Sequence, residues 1–428
     1  MDDKDYDSYI TRAQFFNATG RTLDGLSGMI NRKPLMVTIP DGFDRYIENV
    51  DGKGHSLNQF AMEVVKDYLT TGWGGILVDM PKMENVRSQK DFEDANRYAY
   101  LTYYKAESII NWHWNSDGRR RYLDYVIFKE NTEVVKEDFL IEQKYNYRVC
   151  KIDESGYYVQ ILYDDKNNVI DMAEPKGKNG RFKDIPFYFL ATSDNPQESI
   201  LEDLINVNLS HYRKSADYEN GLHWTGVPTP WTQGADVDTT IINGIEVARN
   251  PLKLGGSIVQ NLPSGASMHY LEFSGSGCTQ LASAMRADEE RMAILGARII
   301  SQERNGVEAA ETAKIHRAGE NSILANIANN LSVTFSRLLK VYLEWSSGSS
   351  IDDDKHSVTF NTDYDVSTMS AGDLTAYVSA WQAGAISKKT MFRNLKEGEI
   401  VEANKSFEDE QSEIDEEQAS RIPMPTEE

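Results

Sequence analysis

Over residues 279–300 apolar side chains recur every three to four positions: Leu281, Met285, Met292, Leu295 and Ile299 share one helical face. Arg286, Glu289, Glu290 and Arg298 hold much of the rest, which predicts an amphipathic helix. A polar, glycine-ended stretch, SQERNG at 301–306, interrupts it. From about Glu308 a second helical pattern runs to Trp345 without proline, with Ile327, Leu331, Phe335, Leu338 and Tyr342 on a single stripe. At a rise of ~1.5 Å per residue that segment is about 55 Å long. Two readings stay open: a long core helix in an α-rich protein, or an elongated subunit packed beside copies of itself.

The remaining pattern alternates between helix and strand. Residues 7–33 carry Ile10, Phe15, Phe16, Leu23, Leu26, Met29 and Ile30, which predict one or two helices ended by Pro34. Gly20, Gly25 and Gly28 mark either close packing or breaks. Residues 57–69 form a helix, 72–75 a glycine turn and 76–78 a short buried strand ended by Asp79. The stretch YLTYYKAESIINWHW at 100–114 is an aromatic helix or strand, 115–118 a turn and 122–128 a strand. Between Phe139 and Leu190 strand-like runs separated by ESG and DDKNN predict a β-meander with one wet face. Helical spacing returns over 199–224 in Leu201, Leu204, Ile205, Asn208, Tyr212 and Tyr218. Between Gly226 and Gly277 come Pro228, Pro230, Pro251 and Pro263, many glycines and short β-like runs, so a β-rich insertion separates two helices. SGSGC at 274–278 reads as a linker into the second of them.

Composition narrows the chemistry. With 428 residues, 40% of them hydrophobic, the chain is long enough for two or three folded domains. Its 67 acidic residues against 45 Lys and Arg give a net charge of −22, which argues against holding nucleic acid by neutralising phosphates but not against DNA passing by. Cys150 and Cys278 are far apart and read as reduced, structural thiols, without zinc-ligand spacing. His113, between Trp112 and Trp114, reads as a packed ring rather than a metal ligand, and Arg119–Arg121, flanked by Asp117 and Asp124, as a solvated turn. A short strand ending in Asp79 could suggest the magnesium-holding strand of an ATPase, yet no GxxxxGK[ST] phosphate loop exists in the chain. No cofactor or metal is expected. The acidic N-terminus and the lack of any long apolar run predict neither signal peptide nor membrane anchor. Beyond Val401 ten acids face two basic residues, the pattern of a solvated or disordered tail.

The order helix, β-rich insertion, helix, polar loop, long helix is similar to that of the portal proteins of tailed bacteriophages. The wording also resembles one portal-like phage group in RAQFFNATGRTLDGLSGMINRKP, YYKAESIINW, NLSHYRKSADYENGLHWTGVPTP, ETAKIHRAGENSILANIANNLS and AWQAGAISKKTMFRNL. The resemblance covers most of the chain, although relatives carry more sequence before the RAQFFN helix. It implies an α+β portal fold: an N-terminal wing of helices plus β-meander (1–198), a stem helix (199–225), a β-rich clip (226–278) and a second stem helix (279–300). A tunnel loop (301–307), a long helix and wing (308–369) and a short helical, crown-like region with an acidic tail (370–428) follow.

The same resemblance implies a non-catalytic, dodecameric ring at one capsid vertex, assembled in the bacterial host cytoplasm, through which double-stranded DNA is packaged and ejected without sequence preference. Implied partners are the terminase large subunit and a head-tail adaptor, both docking on the clip near Pro228, Pro230, Trp231 and Pro251, together with major capsid and scaffold proteins. Gln302, Glu303, Arg304 and Asn305 would line the channel. Rival readings are another virion ring or scaffold protein, or a phage NTPase or nuclease; scattered acids such as Asp79 and Asp288 do not form a recognisable catalytic setting.

The loop carries its own test. Glu303 beside Arg304 offsets much of the arginine's attraction to phosphate. Glu303→Lys is therefore expected to leave assembly unchanged but to slow DNA passage, measured as packaging and ejection rate; an unaltered rate removes the loop from the channel.

Overall fold

A computed structural model describes residues 3–81, 98–136, 140–177, 180–190, 196–226, 229–234, 239–243, 245–248, 262, 264–271, 275–300, 310–362, 364, 371–398, 400–401 and 405–420. The chain divides into two compact units, Met1–Thr362 and Asp363–Glu428. The first begins with helices α1 (Asp3–Arg12) and α2 (Ala18–Ile30), strand β1 (Met36–Thr38), and helices α3 (Asp44–Ile47) and α4 (Leu57–Thr71). Strands β2 (Gly74–Asp79) and β3 (Tyr100–Lys105) follow, then β4 (Ile109–Ser116), β5 (Arg121–Val135), β6 (Ile141–Ile152), β7 (Tyr158–Tyr163) and β8 (Val169–Ala173). A ribbon of β9 (Lys176–Gly177) and β10 (Gly180–Arg181) leads to β11 (Phe187–Phe189) and the long helix α5 (Glu202–Gly226). The insertion holds β12 (Thr229–Gln233), β13 (Thr239–Ile242), β14 (Ile245–Ala248) and β15 (Ser267–Leu271). Helices α6 (Ser276–Ile300) and α7 (Ala310–Ser347) and strand β16 (Ser357–Thr359) complete the unit.

Local chemistry sets several boundaries. Ser56 and Gln59 form a reciprocal capping box that starts α4. Gly72 ends it with φ +72°, and a Cβ there would lie 2.6 Å from the Gln197 carbonyl oxygen. Gly74 and Gly75, expected in the turn, instead belong to β2, because their bare backbone makes room for the Tyr103 and Phe187 rings; a Cβ on Gly75 would meet Phe187 at 2.1 Å. Neither Gly20 nor Gly28 breaks α2, which runs on from its Asn17 cap.

The core lies between two antiparallel sheets. One has the order β11-β2-β3, the other the order β4-β5-β6-β7-β8, which is the expected meander extended by β4 and β5 and without its last run, PFYFL, which pairs with β2 in the first sheet. A single 3-10 turn at Ala106–Ser108 passes the chain from β3 to β4, so 100–105 and 109–116 are two strands rather than an α-helix. Aromatic rings fill the space between: Tyr104 stacks on Phe128 at 3.8 Å, Phe128 meets Phe187 at 4.9 Å, and Trp73 meets Phe189 at 5.3 Å. Cys150 is buried here, its thiol pushed up to about 12 by desolvation, and accepts from Tyr158 Oη. His113 departs from expectation: it is exposed at a sheet edge, stacked against Tyr125.

Helix α7 fits the core-helix reading along its described C-terminal half. Leu331, Phe335, Leu338 and Tyr342 are fully buried, and Tyr342 Oη donates to the Tyr46 carbonyl at 2.6 Å. Ser332 and Ser336 reach across to the backbone of Phe360 and Val358, fastening β16 to the helix. With 38 residues the helix is about 57 Å long.

In the second unit lie α8 (Ala371–Gln382), α9 (Lys388–Glu397) and α10 (Phe407–Ser420). The last replaces part of the expected solvated or disordered tail. Ser406 caps it, Glu408, Asp409 and Glu410 sit at its positive end, and Phe407 packs edge-on against Phe392 at 5.5 Å.

The two sheets are also joined by charge. Asp79, 6% exposed, accepts from Met80 N and Gln160 Nε2 and from Tyr100 Oη, and faces Arg148 Nη1 at 3.6 Å. Arg148 in turn donates to Glu130 at 2.6 Å and to Gln160 at 2.8 Å. Burial raises the Asp79 pKa above the usual carboxylate range even though Arg148 opposes the shift. A carboxyl whose folded pKa is raised costs stability above that pKa and is relieved as pH falls through it. Arg148→Met should therefore cost about 3–5 kcal/mol near neutral pH, and the deficit should shrink on acidification, measured by thermal unfolding across pH.

Candidate functional site

The element with the most unusual construction is the helix pair that brackets the insertion. Helices α5 and α6 run antiparallel: His211 meets Glu289, Lys214 meets Asp288, and Gly221 meets Cys278 in successive levels. At Gly221 a Cβ would lie 2.8 Å from Cys278 Sγ, so the glycine lets the helices approach closely at the insertion end. Gly296 does the same for α2, where a Cβ would stand 2.9 Å from Thr22 Oγ1.

Asp288 decides how the pair registers. It sits on the apolar stripe between Met285 and Met292, is 2% exposed, and accepts from Lys214 Nζ at 2.6 Å. Arg291, one turn on, is more distant at 3.9 Å. His211, also buried, faces Glu289 through Nε2 at 3.2 Å and packs against Phe16.

The N-terminal helices clamp onto the outside of α5. Asn208 Oδ1 accepts from Thr19 N and Thr19 Oγ1, while its Nδ2 donates to the Phe16 carbonyl at 2.8 Å. Ser215 exchanges hydrogen bonds with the Gln14 backbone, Tyr9 Oη donates to Asp217, and Arg12 donates to Asn220. The expected stripe on α5 is thus partly redrawn: Leu204, Asn208, His211 and Ser215 are buried, whereas Tyr212 is half-buried against Phe15.

The described residues of the insertion form two ribbons. β12 pairs with β15 from Thr229 opposite Leu271 to Gln233 opposite Ser267, and β13 pairs with β14. Among the described residues each ribbon has two strands and unpaired outer edges. Trp231 lies on β12, 44% exposed, with its ring against His269 at 5.2 Å; Pro230 lies opposite Tyr270. Pro228, Pro251, Gln302, Glu303, Arg304 and Asn305 lie outside the described residues, so the structure brings none of them together with Trp231. The end of α6 at Ile300 and the start of α7 at Ala310 bracket the predicted loop.

Asp79, the one strand-end carboxylate that invited comparison with a magnesium site, is consumed by Arg148, Gln160 and Tyr100. Among the described residues no group of three or more His, Cys, Asp or Glu is placed to hold a metal ion, and no helix is long and apolar enough to cross a membrane.

A family model described as a domain of unknown function (DUF4055) matches residues 200–346, about a third of the chain and the span from α5 to the end of α7. No curated protein matches. Among solved structures, the chain is similar to one in the virion of a native gene transfer agent (GTA) particle, at 13% identity over 87% of this chain and 88% of that one, TM-score 0.40. It is also similar to a chain in the neck of the native GTA particle computed with C12 symmetry, at 14% identity over 89% of each chain, TM-score 0.39. A chain in the neck of the empty particle computed with C6 symmetry matches at 13% identity over 87% and 88%, TM-score 0.39.

The buried ion pair makes a direct prediction. Lys214→Met leaves buried Asp288 with the more distant Arg291 as its remaining cation and should cost up to about 3 kcal/mol; adding Asp288→Leu should recover most of that loss, measured by denaturant unfolding of the two variants.

Proposed function

We propose that this chain is a portal subunit, a structural component of a bacteriophage-type virion. It assembles into a dodecameric ring at one capsid vertex and forms the channel for DNA packaging and ejection. The observation that carries the reading is the order of an antiparallel helix pair closed at one end by a β-rich insertion and followed in sequence by a 38-residue helix. The sequence phrases that resemble portal proteins point the same way.

In this reading α5 and α6 form the channel wall, residues 301–307 face the duplex, and the insertion meets the terminase and later the adaptor. The half-exposed Trp231 and the exposed Tyr270 and Leu271 suit such a docking surface, since aromatic side chains supply much of the energy at interface centres. The net charge of −22 suits a wall that repels phosphate and lets DNA slide. The protein hydrolyses nothing itself, and the motor supplies the ATPase.

Electron microscopy of the purified protein is expected to show rings with a central hole of duplex width, and the protein alone should show no ATP turnover. Measured turnover, or particles without a central hole, would overturn the reading. Replacing 227–274 by a short Gly-Ser linker should leave a folded chain that no longer forms rings or recruits the motor.

A further inference from the structure

Strands β5 and β6 outrun their sheet. β4 pairs with β5 no further than Phe128, and β7 pairs with β6 no further than Tyr147, so six rungs from Glu130–Asn146 to Val135–Ile141 project as a lone two-stranded arm. At ~3.4 Å per residue the arm is about 20 Å long. Its end is apolar and uncovered: Val135 is 71% exposed, Leu140 66% and Ile141 60%. A two-stranded ribbon is marginal in water by itself, so an arm of this length needs a surface to pack on.

The other end of the same sheet offers one. A hollow of about 280 Å³ opens between the β9–β10 ribbon and the C-terminal turn of α7, with Phe182, Val341 and Trp345 among its walls. That exceeds the ~150 Å³ cavity in which a benzene-sized molecule binds. Phe182 is tied by its carbonyl to Tyr158 N, and Tyr158 pairs with Ile152 at the far end of β6. Eleven residues of β6 separate Ile152 from Ile141, roughly 35 Å along the strand. The arm of one chain therefore cannot fill its own hollow.

Charge matches as well as shape. The sequence over 133–142 holds Glu133, Glu137, Asp138 and Glu142 against Lys136, which pairs with Glu142, whereas 176–183 holds Lys176, Lys178, Arg181 and Lys183. Arg181 is already paired with Asp153 and Glu344 also lines the hollow, so Lys183 is the lining cation an incoming acid would meet. In a chain of net charge −22, a basic segment beside an apolar hollow is the place where an acidic arm of another copy meets attraction rather than repulsion.

We infer that the arm tip of one copy inserts into the Phe182–Trp345 hollow of the next, a head-to-tail contact between neighbouring chains. Such a heterologous contact closes into a ring when its rotation permits; the inference rests on the ring reading proposed above and assigns one of its contacts.

The test uses the full chain in a Cys278→Ser background, Cys150 being buried. Leu140→Cys combined with Ser349→Cys should give, on mild oxidation, a ladder of covalent oligomers, and a mixture of the two single variants should give dimers. Independently, Lys183→Glu should weaken self-association about tenfold, and adding Glu133→Lys should restore it. Rings in the micrographs with no cross-linking overturn the contact and leave the ring reading standing. A fast-running oxidised monomer overturns it too, by showing the arm folded onto its own hollow. Absence of any oligomer overturns both. Circular dichroism of each variant establishes that the compared chains are folded.

Discussion

A carboxylate placed on the apolar face of a helix has to be answered from the opposite side. Asp288 is answered by Lys214, and that requirement fixes how α5 and α6 slide relative to one another, since a shift of one turn would strand both charges. Around this level the other contacts fall into register: His211 with Glu289 on one side, Gly221 with Cys278 toward the insertion. The ribbons between the helices inherit their base from this pairing, because both of their connections leave from adjacent helix ends.

The sheets show the same logic with a different outcome. Asp79, Arg148, Glu130, Gln160 and Tyr100 form a network in which each buried charge has several partners. Such a network contributes little net energy compared with an apolar core of the same volume, yet it leaves few alternative ways for β2 to sit against β6 and β7. Three hydrogen bonds and the facing Arg148 leave the Asp79 carboxylate little to offer an ion.

Much of the framework was legible from spacing. The helix at 279–300, the second helix from Ala310 to beyond Trp345, most of the meander and the β-rich insertion appear where the periodicity places them, because long regular patterns outweigh local exceptions. What escaped was set by residues distant in sequence. Nothing near Gly74 and Gly75 announces the Phe187 ring that makes glycine necessary in β2. The length of β5 was underestimated because its polar continuation, KENTE, lacks the alternation of a buried strand and is paired on the arm alone. Asp288 did carry a signal, an acid seated between Met285 and Met292 on an apolar stripe, but its meaning depended on Lys214 in a helix more than seventy residues earlier. Of the proposed site, Pro230 and Trp231 are located within the insertion and the loop is bracketed by its two helices.

Asn208 satisfies three backbone and hydroxyl groups of the link between α1 and α2, across 189 residues of sequence from Thr19. Helix α1 packs on α5 and waits for its synthesis, whereas α2 can settle sooner on α4, where Lys66 donates to Asp24. At translation speeds of about 5–20 residues per second this leaves α1 waiting roughly 10–40 s. Helix α1 is thus separated from its partner in time as well as in sequence, and until α5 arrives the face that will meet it stays open to other binders.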